Sequence, residues 1–313
     1  MRTLVAIGIA IGAELVGLGA DPSDPWGGHE RTMRRQDLAL IGLLALVFAP
    51  ALLALARVWS SVDYYSHGFL VPLVAYWIFR SQIRGLAAAD RDARGTLLLA
   101  VSFLVYAAGL FQASVSLQGV GVVIAVAGTV LRTWGTLGLR RLAFPVAFLL
   151  FMVPIPPSLL SPVIVWLQLQ VSVASVAILH ALGFTVLRAG NVVLLPGGES
   201  LFVAEACSGI TSLVTLLPLG IVLAYFSPLS RIQRLLLVAA VVPVAMFGNL
   251  VRVIATVFAA RHYGVAHATS STLHEFAGLL SFLLECALLI ALIPLLRWFS
   301  GACCARRGVT RAA

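Results

Sequence analysis

Long apolar runs broken by short polar loops set the pattern of this chain; they lie near 38–58, 67–79, 96–111, 115–131, 142–155, 207–226, 235–260 and 274–298. A helix rising about 1.5 Å per residue needs roughly 17 to 25 such residues to cross the hydrocarbon layer. The pattern therefore predicts an all-α polytopic membrane protein with about eight transmembrane helices, of which the second and fifth are short. A further apolar segment, 159–182, carries Gln168, Gln170, Ser172, Ser175 and His180. It is expected to be an interfacial helix on the outer side or to line a polar cavity. Between 184 and 206, β-prone stretches at 185–187, 192–195 and 201–203 are separated by Gly190-Asn191 and Pro196-Gly197-Gly198, which reads as a small extracytoplasmic β-hairpin.

Composition agrees with lipid as the main solvent, since 61% of the residues are apolar and 11% charged. The formal charge of +9 comes from 21 basic residues, every one an arginine, gathered in short loops. That placement reports topology rather than a nucleic-acid partner. Arg34 and Arg35 precede the first run, Arg80, Arg84, Arg91 and Arg94 follow the second, and Arg132, Arg140 and Arg141 follow the fourth, so all are cytoplasmic. Arg231 and Arg234 follow 207–226, and Arg297, Arg306, Arg307 and Arg311 follow the last run. Both helices then run inward, starting Cys207 and His274 on the outer side, and the outward helix between them lifts Arg252 into its outer half. Between Arg141 inside and Cys207 outside only an odd number of crossings fits, so one of 142–155 and 159–182 does not span. If the run ending at Pro154, Pro156 and Pro157 is re-entrant, the longer segment crosses and the parity is unchanged.

Residues 1–32 form an N-terminal extension, and Met33, followed by Arg34 and Arg35, is an alternative start to Met1. A cleaved signal peptide is disfavoured because this stretch lacks a basic cluster. Residues 33–300 form a single membrane domain and 301–313 a basic cytoplasmic tail.

An ionisable group inside a bilayer costs about 3 kcal/mol or more, which makes Cys207, Arg252, His274 and Glu285 functional suspects. Cys286 is in mid-span and Cys303 and Cys304 are in the tail, so Cys207 has no outer-side disulfide partner and is either an apolar filler or a nucleophile. Cys207, Ser208 and Gly209 open a helix, where free N–H groups favour a thiolate and suit an oxyanion. Arg252 either snorkels to the interface or, oriented by Asn249 one turn earlier, stabilises a negative oxygen. His274 is either a water-facing cap or an acid/base. Glu285, eleven residues on, shares its face and is a packing or proton-relay carboxylate.

His67 is a reserve candidate for the base, whereas Trp59, Tyr64 and Tyr65 read as an interfacial aromatic belt. Ser212 reads as a polar packing group, and Gly248 and Gly278 as places where helices approach closely. His180, His262 and His267 show no ligand spacing on one helix face and no glycine-rich phosphate loop occurs, so neither a metal nor another cofactor is expected.

The run Glu205-Ala206-Cys207-Ser208-Gly209-Ile210, then Asn249-Leu250-Val251-Arg252-Val253, then Leu273-His274-Glu275-Phe276-Ala277-Gly278 resembles the exosortase/archaeosortase family in order and spacing. Tyr65-Ser66-His67-Gly68-Phe69-Leu70-Val71-Pro72 and Phe151-Met152-Val153-Pro154-Ile155-Pro156 resemble its other signature stretches. The resemblance implies a cysteine transpeptidase or protease of the bacterial inner membrane, with its site on the periplasmic side. It implies substrates that are exported proteins ending in a tripartite sorting signal: a short PEP-like motif, one transmembrane helix and a basic tail. Cys207 would be the nucleophile, Arg252 the oxyanion or substrate-orienting group and His274 the acid/base, with Asn249, Ser208, Gly209, Glu285 and His67 in support. The acceptor nucleophile stays open. A transporter or assembly factor for exopolysaccharide export, with Arg252, Glu285 and the histidines lining a path, is the competing reading, and a membrane acyltransferase using His274 a third.

Overall fold

The computed structural model describes residues 35–84, 86, 92–194, 200–202, 210–268 and 271–309, with backbone alone at 35, 200–202, 266–267, 271–275 and 299–309. Eleven helices and a three-stranded sheet occur among the described residues. Helix α1 (Arg35–Ser61) leads through a 3₁₀ turn (Asp63–Phe69) to α2 (Leu70–Ile83). Helices α3 (Ala93–Phe111), α4 (Val115–Arg141) and α5 (Ala143–Phe148) follow, α5 running into a second 3₁₀ turn (Leu149–Met152). Helix α6 (Pro157–Ala181) precedes strands β1 (Leu187–Ala189), β2 (Val192–Leu194) and β3 (Ser200–Phe202). The chain ends with α7 (Ile210–Phe226), α8 (Arg231–Ala239), α9 (Val241–Tyr263), the single turn α10 (Val265–Ala268) and α11 (Ser271–Val309).

Among the described residues, six stretches are long and apolar enough to cross a membrane: Gln36–Ser61, Ala93–Phe111, Val115–Arg141, Pro157–Ala181, Arg231–Tyr263 and Phe276–Trp298. The chain is a multi-span membrane protein. Of the eight runs expected to cross, 67–79 is represented by the 14-residue α2, below the usual spanning length, and 207–226 by α7, whose 17 described residues stand at its lower limit. Of the two middle segments, Ala143–Met152 is the short one and Pro157–Ala181 the longer by length and composition. The far end of the short one, at Met152 and Ile155, is hydrogen-bonded to Trp59 and Tyr65, at and just beyond the end of α1, as a crossing from Arg141 to the outer side requires. Leu46, Leu104 and Phe111 are among many large apolar side chains facing outward, as a lipid-solvated surface requires.

Small residues let α3 and α4 touch along their length. A Cβ at Gly95 would lie 2.5 Å from the Arg132 backbone nitrogen, and one at Gly109 would lie 2.7 Å from that of Gln118. Asp92 caps α3 by accepting from Arg94 N at 2.9 Å, and Ser114 caps α4 by accepting from Leu117 N at 3.3 Å. At the start of α8, Ser230 and Gln233 form a reciprocal capping box, while Gln233 Nε2 donates to the Leu296 carbonyl at 2.6 Å and fixes α8 to α11.

The strands pair antiparallel in the order β1-β2-β3, with Ala189 opposite Val192. Gly190, at φ 64°, takes the first position of the two-residue turn, where an L side chain would be strained. The hairpin expected from sequence is thus a three-stranded meander, with its strands within two residues of the predicted stretches. It packs on the C-terminal half of α6, where the buried Ser172 donates to the Gly190 carbonyl at 3.3 Å and Asn191 Nδ2 donates to Gln168 Oε1 at 3.2 Å. His180 Nε2 meets the Val186 carbonyl at 2.6 Å. Three of the polar side chains that interrupt this apolar segment, Gln168, Ser172 and His180, therefore anchor the sheet that leads towards α7.

Candidate active site

The two upstream signature stretches meet in space. Trp59 Nε1 donates to the Met152 carbonyl at 2.9 Å, and the Tyr65 hydroxyl donates to the Ile155 carbonyl at 3.1 Å while accepting from Ile155 N at 2.8 Å. Both aromatic residues are buried, so the belt expected for Trp59 and Tyr65 is corrected: their polar atoms satisfy the backbone before and after Pro154 instead of meeting lipid headgroups. Gly68 lies under the Trp59 ring, which a Cβ there would strike. Tyr65→Phe should lower stability by about 1–3 kcal/mol, because it strands both polar groups of Ile155. Thermal unfolding in detergent checks this, and an unchanged midpoint would remove the clamp.

His67 belongs to the same clamp. Its Nε2 faces the Phe151 carbonyl at 3.1 Å, so the neutral ring carries its proton on Nε2, and Nδ1 is buried without a partner in hydrogen-bonding geometry. Burial pushes the imidazole pKa below its ordinary value, partly offset by carbonyl contacts, and favours the neutral ring. The 3₁₀ turn that carries it, outside the six candidate spans, packs against α7.

Cys207, Ser208 and Gly209 lie outside the described residues, as does the side chain of His274, although the helical backbone of α11 includes position 274. What is described is the scaffold that receives them. Cys207 is three residues before the first residue of α7, Arg252 is in the middle of α9, and His274 is in the first turn of α11. These three helices pack on one another.

Asn249 is buried in α9, and Arg252 is half-buried one turn later. The guanidinium lies across Gly278 of α11: a Cβ there would sit 3.0 Å from Nη2, 3.2 Å from Cζ and 3.4 Å from Nη1. Gly278 follows His274 by four residues, so the two positions share a helix face one turn apart. Arg252 is therefore laid on the last helix rather than extended to the membrane surface, and α9 and α11 bring positions 252 and 274 into one neighbourhood. Glu285 is fully buried beyond Gly278, and Cys286 beside it is half-buried. Sequence suggested close helix approach at Gly278 without indicating that a charged side chain fills the notch, since that neighbour comes from another helix.

A family model described as transmembrane exosortase matches residues 59–291, more than half of the 313-residue chain. The chain belongs to the transmembrane exosortase family. No curated protein and no solved structure matches it. Exosortases are in general cysteine peptidases or transpeptidases, and the match spans the His67 clamp, the Cys207 segment, Arg252, His274 and Glu285.

Proposed function

We propose that this exosortase-family chain is a membrane-embedded cysteine transpeptidase or peptidase that removes C-terminal sorting signals from exported proteins. The observation that carries the reading is the Arg252 guanidinium lying across Gly278, one turn from His274. A planar donor fork in a half-buried site suits an oxygen that becomes negative during acyl transfer.

In this reading the Cys207 thiolate attacks the scissile carbonyl carbon, and the carbonyl electron pair moves onto oxygen opposite Arg252. Collapse of the tetrahedral intermediate breaks the C–N bond. The departing amine takes a proton from His274, leaving a thioester on Cys207. An incoming acceptor, water or another nucleophile, gives its proton to His274, attacks the thioester and releases the thiolate.

Eight crossings fit this function: the long stretches other than Pro157–Ala181 together with α2, α7 and the short run from Ala143 to Met152, whose far end meets Trp59 and Tyr65, with Pro157–Ala181 lying along the outer side. The arginine loops then face the cytoplasm, and the starts of α7 and α11 face the periplasmic side of a bacterial inner membrane. A substrate with a PEP-like motif, one transmembrane helix and a basic tail would present its scissile bond at that level.

The test is the C-terminal mass of an exported substrate carrying such a tail, co-expressed with the wild-type chain. The expected product ends within the sorting motif and lacks the helix and basic tail. A full-length product bearing a lipid or glycan would support acyl transfer through His274 instead, and an unmodified full-length product would overturn the peptidase reading.

A further inference from the structure

Glu285 occupies a place that an apolar residue would fill at less cost. It is fully buried in α11, one turn before Leu289, which belongs to a buried apolar cluster with Leu216 and Ala245. Its carboxyl group packs on Gly248 of α9, with Cδ 2.6 Å from where a Cβ on residue 248 would stand. Neither carboxyl oxygen is in hydrogen-bonding geometry with a described group. The polar side chains that act on it are the Ser212 hydroxyl of α7 and the Arg252 guanidinium of α9.

The arrangement is reciprocal. Gly248 precedes Arg252 by four residues on α9, and Gly278 precedes Glu285 by seven on α11, so each helix presents a glycine and an ionisable residue on one face. Arg252 enters the notch at Gly278 as Glu285 enters the notch at Gly248. Ser212 adds the third helix, five residues after Cys207.

We propose that Glu285 is a positioning residue that acts through Arg252, holding the guanidinium over Gly278 and, with Ser212, fixing α7, α9 and α11 to one another. In its catalytic consequence this rests on the peptidase reading, whereas the pairing itself does not. When the carboxyl group is ionised its charge draws the guanidinium onto α11, and the low polarity around the pair keeps that attraction from being screened. Glycine at 248 and 278 leaves the two side chains the space that a methyl group would take.

The experiment compares Glu285→Gln, Arg252→Gln and the double variant of the full chain in detergent. Melting midpoints are read for all, and substrate processing for the wild type and the Glu285 variants. Paired groups predict coupled losses, the double variant melting no lower than the worse single one. Glu285→Gln should cut kcat about 10²-fold with KM within about twofold, the pattern of a misplaced transition-state group. Glu285→Asp, which keeps the charge, should recover part of the rate. Glu285→Leu suits the apolar shell, keeps the test open if the glutamine variant does not fold, and should not recover it.

Additive melting losses would overturn the proposal, as would a glutamine or leucine variant that processes substrate at the wild-type rate. Coupled melting in a protein whose wild type leaves the sorting signal in place would support the tie and sink the peptidase reading alone.

Discussion

With Cys207→Ala, a co-expressed substrate bearing a C-terminal sorting signal is expected to stay at full length, its processing reduced about 10⁴-fold or more. No other described or predicted group at the site supplies a nucleophile of comparable strength, so loss of the sulfur removes the thioester and both half-reactions with it. Cys207→Ser should fail almost as completely, because a hydroxyl beside the same imidazole gives far less of the reactive anion. A protein that only conducts or assembles exopolysaccharide would tolerate both changes. Location is checked separately: in intact spheroplasts, an impermeant thiol reagent should label Cys207 before Cys303 or Cys304, and the alanine variant should lose that early label. Immunoblotting of the substrate decides the chemistry, and normal tail removal by the alanine variant would end the proposed mechanism.

The long spans were legible because lipid imposes a local and cumulative requirement, about 20 apolar residues in a row, that any window of sequence reveals. Shorter elements were less so. Helices α2 and α7 are 14 and 17 residues long, and whether either crosses depends on neighbours that shorten its path, which composition does not encode. The three strands were visible from β-prone residues flanking Gly190, whereas their anchoring to Gln168, Ser172 and His180 required the tertiary pairing with α6. Trp59 and Tyr65 differ from the expected belt for a related reason: an amphipathic aromatic residue near a helix end has the same local sequence whether its polar atom meets a headgroup or a carbonyl 90 or 93 residues away. At the site, the positive-inside arithmetic yields one leaflet for Arg252 and His274 as an expectation. What no local pattern supplied was the crossed seating of Arg252 on Gly278 and Glu285 on Gly248, which depends on the rotation and register of two helices.

That seating makes Arg252→Lys a discriminating substitution. The guanidinium lies nearly flat over Gly278, with Nη2, Cζ and Nη1 all between 3.0 and 3.4 Å from the absent Cβ, so a thin planar group fills the notch and directs its donors along one plane. Lysine keeps the charge but replaces the fork with a compact, strongly hydrated ammonium that has only a point to place there. If Arg252 binds the oxygen that gains charge in the transition state, Arg252→Lys should lower kcat about 10²- to 10³-fold with little change in substrate affinity. Gly278→Ala should act in the same direction and less severely, because its methyl group asks the flexible end of Arg252 to move by only a few tenths of an ångström. An arginine that merely reaches for the membrane surface predicts otherwise, since lysine snorkels equally well. Single-turnover cleavage of a tailed substrate distinguishes them: retention of rate within about threefold by the lysine variant would remove Arg252 from the chemistry, whereas graded loss from alanine at 278 to lysine at 252 would tie the rate to where the guanidinium lies.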